Sequence, residues 1–178
     1  MAMSRRAPVG RPSFGFGHYL RDFVYGALDG VITTLAVIAG SAGAKLPARV
    51  AIILGLANLV ADGLSMGASN YLGLKSELEQ AGRSIDDEAP WRHGVATVSA
   101  FVIVGALPLG GYILGASWNV AAIIPAVCLG GFALLAAGAV RAPFVRRPVW
   151  VSGLEMLAIG TVAGAAAYGV GALAAAIG

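Results

Sequence analysis

Five long apolar runs, separated by short polar segments, organise the chain. They fall at about Phe23–Gly43, Val50–Gly73, Gly94–Gly115, Trp118–Val140 and Val151–Ile177. At a rise of about 1.5 Å per residue, each is long enough as a helix to cross a hydrocarbon layer about 30 Å thick. Lipid offers a backbone no hydrogen-bond partner, so spans of this kind are predicted to be helical. The short alternating segments of a membrane barrel are not seen. Ala44–Arg49 joins the first two spans, and a tight Ala116–Ser117 turn is predicted between the third and fourth. Arg141–Trp150 carries Pro143 and Pro148, which stop the fourth helix. The longest connection, Leu74–His93, gathers Lys75, Glu77, Glu79, Arg83, Asp86, Asp87, Glu88 and Arg92, a solvated surface. Within it Ser84-Ile85-Asp86-Asp87 reads as a capping box. Small residues recur at GxxxG spacing, as Gly26/Gly30, Gly63/Gly67, Gly111/Gly115 and Gly160/Gly164, which lets helices approach closely in lipid.

Composition turns this pattern into a class. Of 178 residues 58% are hydrophobic and 12% charged, about half the charge of an ordinary soluble domain. A soluble enzyme and a disordered or fibrous chain are excluded, because the apolar residues are consumed by about five crossings. The net charge of +3 is explained by arginines beside membrane spans, and no nucleic-acid partner is expected. Arg5, Arg6, Arg11, Arg21, Lys75, Arg83, Arg92, Arg141, Arg146 and Arg147 fall on one side, and only Lys45 and Arg49 on the other. The positive-inside rule then puts the N-terminus in the cytoplasm and the C-terminus outside. Trp91, Trp118 and Trp150 fall near span ends, where an aromatic belt places them. The expected fold is an all-α integral membrane protein of five transmembrane helices. Residues 1–22 form a basic cytoplasmic N-terminal arm and residues 23–178 the transmembrane domain. The arm has no apolar core of its own, so the first span serves as the insertion signal and no cleavable signal peptide is expected. The lone Cys128 reads as a packing residue. Richness in Ala, Gly and Arg fits a bacterial inner membrane, with a vacuolar membrane the counterpart in a eukaryote.

Only Asp29, Asp62 and Glu155 are charged within the five runs. A carboxylate at a span centre costs about 2.5–3.5 kcal/mol on insertion scales, and such residues normally face a cavity, an ion path or a partner. On the second span Asn58, Asp62, Met66 and Asn70 follow at intervals of four, with Ser65 and Ser69 beside them. On the first, Asp22, Tyr25, Asp29 and Thr33 share a face. Two acidic stripes on adjacent helices suit a cation path, and the uncharged third and fourth spans are expected to be the lipid-facing wall. Carboxylates, amide oxygens and one thioether suit Fe(II) or Mn(II) better than zinc or copper. Low dielectric disfavours a bare carboxylate anion. Either a metal ion or a proton can neutralise these aspartates, as an antiporter requires. Glu155, about one turn inside the fifth span, is assigned to the cytoplasmic mouth.

Two other classes stand beside transport of Fe(II) or Mn(II). One keeps transport and changes the cargo to another small cation. The other is a non-transporting dimeric membrane anchor or partner subunit whose acids only lock helices together. An enzyme is not expected. Gly63-Leu64-Ser65-Met66-Gly67 matches GxSxG, but that motif needs a strand–turn–helix context and a histidine base. His18 and His93 both fall outside the predicted spans.

Tyr25-Gly26-Ala27-Leu28-Asp29-Gly30-Val31-Ile32-Thr33-Thr34-Leu35-Ala36-Val37-Ile38-Ala39-Gly40 resembles the first-helix signature of the vacuolar iron transporter family. Leu56-Ala57-Asn58-Leu59-Val60-Ala61-Asp62-Gly63-Leu64-Ser65-Met66-Gly67-Ala68-Ser69-Asn70-Tyr71-Leu72 resembles its second helix, and Gly160-Thr161-Val162-Ala163-Gly164 with Tyr168 more loosely its last. The resemblance, to the plant proteins and the related yeast Fe(II)/Mn(II) transporters, implies five membrane helices and a cytoplasmic N-terminus. It also implies a homodimer whose pore is lined by the first two helices. The implied activity is movement of Fe(II), often Mn(II), out of the cytosol in exchange for protons. The metal is substrate, and no cofactor is expected. By resemblance Asp29 matches the first-helix aspartate on the path and Met66 the second-helix methionine ligand. Asn58 stands where plant members have a glutamate, and Asp62, one turn later, supplies a carboxylate instead. The long glutamate-rich cytoplasmic domain of plant members is missing from the loop after the second span. The expected metal-binding set is Asp29, Asp62 and Met66, with Asn58 and Asn70 as weaker oxygen ligands and Glu155 at the mouth.

Overall fold

A computed structural model describes residues 16–118 and 121–177. It contains α1 (Phe16–Gly43), α2 (Ala48–Gln80), the single turn α3 (Ile85–Glu88), α4 (Pro90–Ser117), α5 (Ile123–Arg141) and α6 (Val149–Ile177). All but α3 are long and apolar enough to cross a membrane. Arg5, Arg6 and Arg11 lie outside the described residues, and the rest of the predicted arm from Phe16 onward is already helical.

The helix ends differ from the hydropathy pattern where a helix continues into polar sequence. α2 runs on to Gln80, with Lys75 and Glu79 paired at 3.9 Å one turn apart. It ends in a Schellman motif: the Arg83 N–H donates to Leu78 O and the Gly82 N–H to Glu79 O. Gly82 takes the left-handed φ of 61° that this motif needs. Ser84 does occupy the N-cap of α3, but its side chain makes no capping bond, so the capping box does not form. An Arg83–Glu88 ion pair closes the loop instead. α4 starts at Pro90, a position where proline's missing N–H breaks no helical bond. His93 is therefore inside the helix. At its other end α4 continues to Ser117, so the predicted Ala116–Ser117 turn is part of the helix, and α5 begins at Ile123.

The third span is not a lipid-facing wall. α4 is packed against α1, α2 and α5. Glycine, rather than the absence of charge, decides this. Gly26 and Gly30 of α1 lie on the Thr97–Phe101 backbone of α4, and a Cβ on Gly105 would stand 2.8 Å from the Gly30 backbone. Two apolar clusters follow from this crossing. One joins Val31 and Leu35 to Leu134 and Met156, and the other joins Ile38 and Leu59 to Phe101 and Leu109. α2 is peripheral. Its buried residues Ala51, Gly55, Leu59, Gly63 and Gly67 recur every four positions against α1 and α4. The remaining circumference, with Leu56, Val60 and Leu64, faces outward.

Candidate functional site

Asp29 sits half-buried on α1, and Asp62 lies on the outward face of α2. A short chain of hydrogen bonds stitches the helices beside them. Asn58 Nδ2 donates to Thr33 Oγ1 (3.1 Å), and that hydroxyl donates to the Asp29 carbonyl (2.9 Å). Met66, one turn past Asp62, is half-buried and packs on the cluster that contains Leu59 and Phe101. The structure thus ties Asn58 of α2 to Thr33 beside Asp29 on α1, with Asp62 and Met66 one and two turns further along α2. Among the described residues, no three His, Cys, Asp or Glu side chains converge on a point. One chain contributes a row of donors rather than a closed coordination shell.

Two expected ligands have other partners. Asn70 continues the α2 stripe, but its Nδ2 donates to Asp22 Oδ1 (2.7 Å) and Thr97 Oγ1 (2.7 Å). It is drawn toward α4 and is no part of the ligand row. Glu155 stands between Arg141 Nη1 at 2.9 Å and Arg147 Nη1 at 3.8 Å, at the charged end of the bundle. These pairs are open to solvent, so they contribute about 0–1 kcal/mol. Glu155→Gln should move the thermal midpoint of the detergent-solubilised protein by no more than a few degrees. A collapse on that substitution would show that the pair holds the α5–α6 connection in place.

A polar cluster that the spacing of residues did not reveal lies between α1, α2 and α4. Asp22 is only 3% exposed and His93 7%. His93 Nδ1 is 2.6 Å from Asp22 Oδ2, and His93 Nε2 is 3.1 Å from His18 Nε2. Thr97 Oγ1 donates to the His93 carbonyl at 2.9 Å. A cavity of about 100 Å³ is lined by His18, Arg21, Asp22, Asn70, Leu74 and His93. One signal for it was present in the sequence, since His18 and Asp22 are one turn apart on the same helix.

Other features offer a cation little. A cavity of about 300 Å³ between α1, α5 and α6 is aliphatic apart from Thr161 and Tyr168, and belongs to the packing of α6. Ser65 of the GxSxG match is exposed in mid-helix on α2, while the two imidazoles face each other and Asp22.

Comparisons with known proteins bear on this geometry. The VIT family model matches residues 20–89 and 79–172. The chain is 25% identical to the vacuolar iron transporter of Toxoplasma gondii over an alignment of 224 residues, covering 87% of this chain and 74% of that protein. It is 29% identical over 164 residues to vacuolar iron transporter homolog 3 of Arabidopsis thaliana, covering 85% and 80%. A local match to the vacuolar iron transporter of Plasmodium falciparum reaches 44% identity over 52 residues, 29% of this chain and 19% of that one.

Proposed function

The chain belongs to the VIT family, a family of transporters and not of enzymes, and on that premise we propose that it moves Fe(II) or Mn(II) out of the cytosol in exchange for protons. The working unit is a homodimer with the ion path on its axis. The observation that carries this reading is the placement of Asp29 and Asp62 on two helices tied by the Asn58–Thr33 hydrogen bond, with the Asp62 face of α2 pointing out of the bundle among apolar side chains. A carboxylate facing lipid is costly, so that face needs a cover. A second copy related by twofold symmetry covers it and brings a second Asp29, Asp62 and Met66 to the axis. Two carboxylates and a thioether from each side make six donors, the number that an octahedral Fe(II) or Mn(II) takes. Asn58 adds an amide beside them. The names of the relatives, vacuolar iron transporters, support the cargo. The basic end of the bundle, with Arg21, Arg92, Arg141 and Arg147, is the cytoplasmic side by the positive-inside rule.

The test is metal uptake into proteoliposomes with an acid interior, using Fe(II), Mn(II) and Zn(II) with wild type, Asp29→Ala and Met66→Ala. Fe(II) or Mn(II) should enter in proportion to the gradient, and both variants should lose that uptake. Well-folded dimers that take up no ion would sink the transporter reading and leave the membrane anchor.

A further inference from the structure

We propose that His18, His93 and Asp22 form a proton-carrying site at the charged end of the bundle. There the counter-proton is taken up from and returned to the cytosol, an assignment that rests on the antiport reading above. The hydrogen bonds define the chemistry. With Asp22 ionised, His93 Nδ1 must carry the hydrogen across the 2.6 Å contact, which leaves His93 Nε2 with a lone pair. Among the described residues, the hydrogen placed to satisfy that lone pair across 3.1 Å is the one on His18 Nε2. Asn70 holds the second Asp22 oxygen, and Thr97 ties Asn70 to the His93 backbone. The carboxylate and the His93 ring are thereby fixed, and the proton between the two ε nitrogens is the mobile part.

A proton arriving on His18 makes that ring an imidazolium. Its transfer to the His93 Nε2 lone pair leaves His18 neutral and places the positive charge on His93, against the Asp22 carboxylate. The reverse step returns it, with no other bond made or broken. Among the described residues, the titratable groups lining the cavity are His18, Arg21 and Asp22 from α1 and His93 from α4, and α2 contributes Asn70 and Leu74. Tyr19 of α1 packs on both imidazoles, with ring centres 5.1 Å from His18 and 4.8 Å from His93. The fixed charge of Arg21 opposes a second added proton, so the pair cycles one. The same charge, with both Asp22 oxygens already engaged, favours a proton over a divalent cation. Asp22 lies seven residues before Asp29, about 10 Å along α1, with the exposed Tyr25 between them.

The chain has only two histidines, so histidine-labelled full-length protein in nanodiscs reports both rings by nitrogen NMR. The two should titrate as one coupled pair, each ring reporting protonation of the other. His18→Gln should leave His93 with a single step. Independent titration of the two rings, or no titration of either between pH 4 and 9, would overturn the site. In proteoliposomes, His18→Gln and His93→Gln should slow metal-driven proton release by about 100-fold, the low end of what a positioned proton carrier contributes. Both should also flatten its dependence on cytoplasmic-side pH. His18→Gln, at a half-buried position, serves if His93→Gln fails to fold. Variants with wild-type proton flux and pH profile would overturn the inference alone. Absence of proton-coupled flux in wild type would instead sink the antiport reading, and the NMR titration would still decide whether the pair binds a proton.

Discussion

Gly30→Leu should abolish the folded bundle, whereas Gly164→Leu should leave it intact. Both glycines belong to GxxxG pairs, so the sequence alone treats them alike. A Cβ at Gly30 would meet the Phe101 carbonyl oxygen in overlap and the Phe101 Cα at 3.1 Å, while a Cβ at Gly164 finds nothing within 4 Å. Overpacking in a core typically costs about 1–3 kcal/mol, and more when neighbours cannot yield. At Gly30 the obstructing atoms are helical backbone, so all of α4 would have to shift. That shift would undo the Phe101 cluster and pull His93 away from Asp22. With total stability of about 5–15 kcal/mol, such a loss is decisive. Size-exclusion profiles and thermal unfolding in detergent check it. A Gly30→Leu protein that elutes and melts like wild type would mean that α1 and α4 are not in backbone contact.

The same crossing shows what was legible in the sequence and why the rest was not. Hydropathy located five spans because burial in lipid is a one-dimensional property, read from each window without knowing its neighbours. It placed the end of α2 at Gly73 and the start of α4 at Gly94, because Lys75–Glu79 and Arg92–His93 are polar whether or not they are helical. Capping chemistry held the missing information: Gly82 closes α2 and Pro90 opens α4. The spacing of Asn58, Asp62 and Met66 along α2 was visible as periodicity, and so was that of Asp29 and Thr33 on α1. The Asp22–His93–Asn70 cluster was not, since its members are 71 and 48 positions apart. Periodicity fixes the face of each helix and says nothing about which faces meet. Charge counting misled for the same reason. α4 carries no buried acid, yet its glycines and Thr97 make it the central helix.

Asp29→Asn and Asp62→Asn should each reduce metal uptake by at least about 100-fold, the upper end of what losing even an outer-shell partner does to a metal site. The same substitutions should stabilise the protein against heat, or leave its stability unchanged. Asparagine keeps the shape of each side chain and removes the charge. Among the described residues no ion pair reaches either carboxylate, so neither anion is offset by a basic partner. An unpaired carboxylate in a span costs about 2.5–3.5 kcal/mol, and relief of part of that favours the variant. Combining the two substitutions should cost uptake little more than the deeper single one, because residues that serve one ion do not contribute additively. If the acids only lock helices together, the signs reverse. Each asparagine would then loosen the bundle and lower its unfolding midpoint. Uptake and melting measured on the same preparations therefore separate the two readings without a structure of the complex. Loss of transport with retained or raised stability places the aspartates on the ion path, and parallel loss of both makes them structural.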